Sequence, residues 1–264
     1  MYELKFRYQT QIYSVSDANI KVQFTKPNVT TEKTKLVVLV HGFAGDRNEN
    51  GFFTTIASEL ARAGLIAARY DCRGTGESTG SYAKSSVKQH AEDLKVIIKS
   101  LTQAGTIAFD PQQISLIGFS LGAAIVGTAL KDGLQASKVS YLAPATRPNK
   151  SMWPRYDTEQ FRTAIEEDRE VQKPGSQILL GKSILESIRD TDLGENSFEL
   201  TKPLLVIHGT EDTRIDIAYS DQAVKKNKIS GVEYHRIEGA THSFRPPEQN
   251  WQVVAQTLTK WFLQ

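Results

Sequence analysis

Ile114-Ser115-Leu116-Ile117-Gly118-Phe119-Ser120-Leu121-Gly122-Ala123-Ala124 joins two patterns whose meeting point decides the fold. An apolar run, Ile114 to Ile117, ends in Gly-x-Ser-x-Gly, and small residues then open a helical pattern that reaches Lys131. A serine at so sharp a strand-to-helix turn projects its hydroxyl above the edge of a sheet. Glycines at 118 and 122 permit the bent backbone and the close packing of helix on strand. A Gly-x-Ser-x-Gly pattern by itself arises by chance in roughly one chain in ten of this length. The strand before it and the helix after it give this one its weight.

The same alternation spreads outward. Leu36 to Val40 is a continuous apolar run, the signature of a strand buried on both faces of a parallel sheet. Leu65 to Tyr70, Val139 to Leu142 and Leu204 to Ile207 repeat it, and Glu233 to Ile237 is a weaker last member. Between them lie helical patterns over Phe52 to Ala63, Ser86 to Thr102, Ile217 to Lys226 and Gln249 to Leu263. In the second, Val87, Ala91, Leu94, Ile98 and Leu101 form one apolar stripe. Tyr2 to Tyr8 and Ile20 to Lys26 alternate at period two and read as an antiparallel pair ahead of the parallel strands. The fold class is therefore α/β, a mostly parallel central sheet with helices on both faces, and functional groups should gather at the carboxyl ends of the strands.

One interval breaks the rhythm. Ala143 to Pro203 is far longer than the dozen or so residues a crossover needs. It opens Pro-rich, continues with a charged helix-like stretch from Arg155 to Val171, breaks at Pro174-Gly175 and resumes as an amphipathic stretch from Ile178 to Ile188. The expected division is a catalytic domain of residues 1–145 and 200–264 with an inserted cap of 146–199. Met152, Trp153, Tyr156 and Phe161 would be either walls of a site or the cap's own small core, with Arg147, Lys150, Arg155 and Arg162 nearby. The run from Glu159 to Glu170 reads most simply as a solvated face.

Composition bounds the rest. With 264 residues, 39% hydrophobic and 23% charged, the chain can bury a full core without disulfides or structural metal, which excludes disorder and fibrous classes. A net charge of +2 makes no electrostatic case for nucleic acid. The single cysteine, Cys72, has no internal partner and points to a reducing compartment, with the cytoplasm as the default location. No stretch approaches 18 apolar residues, so no membrane span is expected. A small molecule is the expected partner, and a homodimer is compatible with the sequence.

Ser120 needs a base, and the base needs an acid to orient it. Of five histidines, His41 and His208 end core strands in His-Gly pairs and read as turn-shaping residues. His90 lies in a helix and His235 inside the last strand. His242 follows that strand in a loop able to drop it onto the strand ends, and it is the expected base. Asp212, in the loop after Leu204 to Ile207, is the expected acid. Glu211 and Asp216 compete, but Asp216 reads as a helix cap. The order Ser120, Asp212, His242 is that of α/β-hydrolases. His41-Gly42-Phe43-Ala44-Gly45 follows the first buried strand, where Phe43 N–H and Leu121 N–H would form an oxyanion hole.

Taken together, HGFAG, YDCRGTGES, GFSLG, HGTED and IEGATHSF resemble the α/β-hydrolase superfamily along the whole chain. Within it they resemble the small bacterial carboxylesterases that include the cinnamoyl (feruloyl) esterases, which share the HGF loop, a Lys-Pro before the strand leading to the acid, and an IEGA-H-x-F segment. The resemblance implies the α/β-hydrolase fold. It matches Ser120, Asp212 and His242 to the family's triad and Phe43 and Leu121 to its oxyanion positions. It also implies a serine carboxylesterase acting through an acyl-enzyme on short or hydroxycinnamate-type esters, with a monoacylglycerol lipase or acyl-thioesterase as the alternative. The cap is more charged than the family's, and no substrate contact is carried into it.

Other readings are set aside. Gly74-Thr75-Gly76 places its third glycine late for a dinucleotide fingerprint, so no cofactor is expected and the turn from Asp71 to Gly80 should pack beside the site. Cys72 has no histidine placed to activate it, and no spacing suits a metal. A binding protein on a hydrolase fold would usually lack a member of the Ser/Asp/His set, and here all three are present.

Overall fold

The computed structural model of the protein describes residues 6–227, 231–244 and 249–264. Strands β1 (Phe6–Val15) and β2 (Ala18–Pro27) precede β3 (Leu36–Val40), helix α1 (Phe52–Arg62), β4 (Ile66–Tyr70), α2 (Val87–Ala104), β5 (Ile114–Phe119), α3 (Leu121–Lys131) and β6 (Val139–Leu142). A long excursion then carries α4 (Pro148–Ser151), α5 (Trp153–Tyr156), α6 (Glu159–Glu166), β7 (Val171–Gln172), β8 (Leu179–Leu180) and α7 (Lys182–Asp190). The chain returns through β9 (Leu204–Gly209), α8 (Ala218–Lys226), β10 (Val232–Ile237) and α9 (Gln249–Leu263).

Among the described residues, eight strands form one sheet in the order β1-β2-β4-β3-β5-β6-β9-β10. Pairing is antiparallel at β1/β2 and β2/β4 and parallel in the rest. The expected Tyr2 to Tyr8 strand extends further: the strand paired with β2 runs on to Val15, and residues 2–5 lie outside the described residues. Ile12 is two-thirds exposed and breaks the apolar alternation, which is why periodicity ended the strand too early.

The central strands are mostly apolar because both faces are covered, with Arg69, Ser115, Ser140 and His208 as buried polar exceptions. In β3, Leu36, Val38 and Val40 face one core, with residues of α2 and α3; Val37 and Leu39 face the other, with α1 and α9. All five are fully buried, at about 2 kcal/mol for each aliphatic side chain removed from water. Ser86 caps α2, its Oγ accepting from Gln89 N–H at 3.0 Å. Gly105, with φ of 60°, ends that helix in the left-handed conformation.

Strand order reverses at β3, since β4 lies on one side of it and β5 on the other. The crevice at such a switch point is where α/β sheets place their sites, and the loops after β3 and β5 both open into it. Gly122 lets α3 pack there: a Cβ at this position would lie 2.2 Å from the Val40 carbonyl oxygen. Gly122→Ala should lower stability by about 3 kcal/mol, read as a fall in Tm of several degrees; an unchanged Tm would show that the backbone yields freely.

The excursion is folded rather than a linker. Phe161, Ala164, Ile165, Leu180, Ile184, Leu185 and Ile188 are buried in the same core as α2 and α3. Val87 N–H donates to Ser187 Oγ at 2.8 Å, tying α7 to the start of α2. Its internal elements differ from the expected pair of helices. The stretch from Arg155 to Val171 divides into α5, α6 and the start of β7, broken at Asp157 and Thr158. The second stretch opens as β8, which pairs with β7, before α7 begins at Lys182.

Candidate active site

The turn between β5 and α3 places Ser120 at φ 53° and ψ −120°, a region that non-glycine residues rarely occupy. Hydrogen bonds hold it there. Ser120 N–H donates to the Leu142 carbonyl at 2.9 Å, and the Ser120 carbonyl accepts from Ala123 and Ala145 N–H groups at 3.0 Å each.

Asp212 and His242 arrive from the loops after β9 and β10. Gly209 permits their approach, since a Cβ on it would lie 2.2 Å from the Ala240 carbonyl oxygen. His242 Nε2 lies 3.0 Å from Ser120 Oγ, and His242 Nδ1 lies 2.7 Å from Asp212 Oδ2. All three side chains are buried. An acceptor at Oδ2 fixes the tautomer: Nδ1–H donates to the carboxylate, leaving the Nε2 lone pair for the Ser120 hydroxyl. Burial holds the His242 imidazole below its usual pKa, against the opposing hydrogen bond and charge of Asp212 and with the Arg214 charge adding to the depression. The ring is therefore neutral, as a base must be.

His208 was not expected to take part. Its Nε2–H donates to Asp212 Oδ2 at 3.1 Å and to the Ile215 carbonyl at 3.0 Å, while Nδ1 accepts from Ser220 Oγ at 2.8 Å. Asp212 Oδ1 accepts from the Arg214 and Ile215 N–H groups at 2.8 and 2.9 Å. Burial pushes the Asp212 carboxyl up, but these donors and His242 outweigh it and hold the group well below the usual carboxylate range. The i, i+4 spacing of His208 and Asp212 across one tight turn was the available signal. Asp216, one residue before the N-cap Ile217, accepts from Ala218 N–H at 2.9 Å, and Glu211 is exposed.

The loop after β3 supplies the rest. Among the described residues, neither Phe43 N–H nor Leu121 N–H donates to a backbone carbonyl outside its own helix or strand, and Phe43 lines the cavity with Ser120. Gly42 N–H donates to Glu49 Oε1 at 2.7 Å, a contact that sequence reasoning missed. Burial raises the Glu49 carboxyl to about 7, aided by the Asp46 charge and opposed by the Gly42 N–H and by Lys173 and Arg214. Ala44 N–H donates to Tyr82 hydroxyl at 2.9 Å. Arg47 N–H donates to Asp71 Oδ1 at 2.8 Å.

The turn after β4 thus braces this loop. Its N–H groups serve an internal carboxylate rather than a phosphate: Glu77 N–H reaches Asp71 Oδ2 at 2.9 Å. His41 Nε2 accepts from Cys72 N–H at 2.9 Å, leaving its other nitrogen to donate to the Gly42 carbonyl at 2.8 Å. Cys72 is buried and its thiol is pushed well up by desolvation and by the charges of Asp93 and Asp71, the reverse of an activated nucleophile. His90, driven down to about 3 by burial, lies in α2, and His235 pairs with Glu233 on β10.

Ser120 and His242 open onto a cavity of about 520 Å³. Phe43, Met152, Tyr156 and Phe161 line it on one side and Phe52, Phe119 and Trp251 on another. Met152 and Phe161 serve both expected roles at once, buried in the core of the excursion and facing the cavity. Trp153 packs on that core instead. Arg155 lines the cavity, Arg147 pairs with Asp192 and Arg162 with Asp157. No group of three or more His, Cys, Asp or Glu that could hold a metal ion occurs among the described residues, and no helix there is long and apolar enough to cross a membrane.

Comparison with known proteins agrees with this architecture. The family model described as serine aminopeptidase, S33, matches residues 31–158, which contain Phe43, Ser120 and Leu121 but neither Asp212 nor His242. A monoacylglycerol lipase of Mycolicibacterium smegmatis is 26% identical over 261 residues, covering 88% of this chain and 89% of that protein. A solved structure of Est1E from Butyrivibrio proteoclasticus with ferulic acid bound superposes with a TM-score of 0.79 at 19% identity, over 96% of this chain and 98% of that one. An esterase from Exiguobacterium antarcticum gives 0.70 at 20% identity, over 96% and 98%. The chain has the α/β-hydrolase fold, and its residues 31–158 are similar to the family described as serine aminopeptidase, S33.

Proposed function

We propose that the protein is a serine carboxylesterase working through an acyl-enzyme on Ser120. The observation that carries this reading is the hydrogen-bonded chain Ser120–His242–Asp212 at the mouth of an aromatic-lined cavity. His242 takes the Ser120 proton as Oγ attacks the ester carbonyl. Phe43 and Leu121 N–H groups hold the oxyanion, each worth about 3 kcal/mol of transition-state stabilisation. His242 then protonates the leaving alcohol, and water repeats the sequence to release the acid. Asp212 keeps the tautomer and stabilises the imidazolium, and no cofactor enters.

Residues 1–145 and 200–264 form the catalytic domain in this proposal, and 146–199 the cap that shapes the acyl site. Short-chain or hydroxycinnamate-type esters are the first substrate class, supported by the likeness to a structure that holds ferulic acid. Monoacylglycerol is the second, supported by the mycobacterial relative. Labelling with a fluorophosphonate probe tests the mechanism: folded protein whose Ser120 stays unlabelled overturns it. A panel of p-nitrophenyl esters of rising length, methyl ferulate, a monoacylglycerol and an acyl-CoA tests the class. A preference for chains beyond about ten carbons would favour the second.

The pH profile follows from His242. Burial disfavours the imidazolium, so kcat/KM should rise with one ionisation whose midpoint lies below the ordinary histidine value of about 6.5 and stay level above it. A rate that does not change from pH 5 to 9 would contradict a histidine base.

A further inference from the structure

The charges around the cavity do not balance. Arg155, Lys173 and Arg214 line it, and the carboxylate facing them is Glu49. Among the described residues no carboxylate lies within ion-pair distance of Lys173 or Arg214, whereas Arg147, Arg162 and Arg189, on the same excursion as Lys173, are all paired. Glu49 spends one oxygen on Gly42 N–H. With its carboxyl drawn up to about 7 by burial, it offsets only part of the positive charge.

The cations also stand close to one another. The Arg214 charge bears on Lys173, Glu49, Tyr156 and His242, four groups that line the same space. Desolvation and the Arg214 charge together depress the Lys173 ammonium. Arg155 is held in place, its Nη2 donating to the Thr213 and Arg214 carbonyls at 2.9 and 2.7 Å, so it anchors α5 to the Asp212 loop. Arg155 and Arg214 are exposed at the edge of the cavity and Lys173 is half-buried beside them; like charges gathered in this way repel, and an anion relieves the arrangement. Guanidinium and ammonium donors suit carboxylate or phosphate oxygens. The adjoining wall is aromatic: the Phe43 and Tyr156 rings lie 5.2 Å apart and Tyr156 and Phe161 5.4 Å apart, all edge-to-face.

We infer that the cavity selects esters that carry a second, anionic group, a carboxylate or phosphate, which Lys173 and Arg214 bind while the aromatic wall takes the spacer between that group and the ester. This deepens the esterase proposal and rests on it. It adds a charge requirement that neither a plain hydroxycinnamate ester nor a monoacylglycerol meets.

The test uses matched ester pairs on the full-length protein. Mono-p-nitrophenyl glutarate is compared with p-nitrophenyl pentanoate, which places the anion on the acyl side. A phenyl butyrate with a 4-carboxylate or a 4-phosphate is compared with phenyl butyrate, which places it on the alcohol side and separates the two anions. At low ionic strength at least one anionic ester should exceed its neutral partner in kcat/KM by about tenfold or more. That ratio should fall toward one at high salt, and likewise in Lys173→Met and Arg214→Met. Ratios at or below one in both pairs, with Ser120 labelled by fluorophosphonate and neutral esters turned over, overturn the charge requirement and leave the esterase proposal standing. No turnover of any ester together with an unlabelled Ser120 overturns both.

Discussion

Ser120→Ala should reduce ester turnover by roughly 10⁴- to 10⁶-fold while leaving the fold intact. The loss is large because in the proposed mechanism the hydroxyl is the bond-forming atom and no neighbour can replace it. Cys72, the sole thiol, is buried with its proton held tightly. The activity that survives should come from the oxyanion donors and the cavity, which the substitution leaves in place. Stability should change little: the side chain faces the cavity, and the backbone bonds to Leu142, Ala123 and Ala145 do not involve Oγ. A Tm within about 3 °C of the parent is the expected control. Retention of more than a few per cent of the turnover would move the nucleophile elsewhere.

Asp212→Asn should cost about 10⁴-fold in kcat for a different reason. Oδ1 can still accept from the Arg214 and Ile215 N–H groups, so the amide nitrogen must take the place of Oδ2. It then faces His242 Nδ1 as a donor, which favours the tautomer with the proton on Nε2 and removes the lone pair that Ser120 needs. The same nitrogen meets the His208 Nε2–H, donor against donor. Because His208 is fully buried, this clash should lower stability by about 1–3 kcal/mol, and Ser120→Ala carries no such penalty. The two variants therefore separate: both inactive, only the aspartate variant less stable. Equal Tm values would show that His208 turns or shifts its proton without cost.

Much of the sheet was legible because buried parallel strands must be apolar on both faces, and Leu36 to Val40 or Val139 to Leu142 have no other use for such runs. The β1 boundary was not, since an edge strand with Ile12 in solvent and Tyr13 buried has a pattern any two-residue shift can fit. Ser120, Asp212 and His242 could be named because each follows a recognisable strand, and the structure brings the three within hydrogen-bond distance. Glu49 and His208 were missed because each acts through a backbone N–H or another side chain, and no spacing rule marks a residue by what its neighbour needs. The excursion was the least legible part. Its helices are short, and Met152 and Phe161 face both a core and a cavity, so their apolar character fits either role.

Ser120, the Phe43 loop and His242 are not seated on equally firm ground. Ser120 and the Phe43 loop follow β5 and β3, central strands buried at every position, whereas His242 follows β10, the sheet's margin, where no residue is fully covered. Local opening begins at such margins. If β10 detached while the centre held, the molecule would keep the proposed nucleophile and oxyanion donors yet lack the proposed base. The protein is thus built so that it can fall silent before it falls apart.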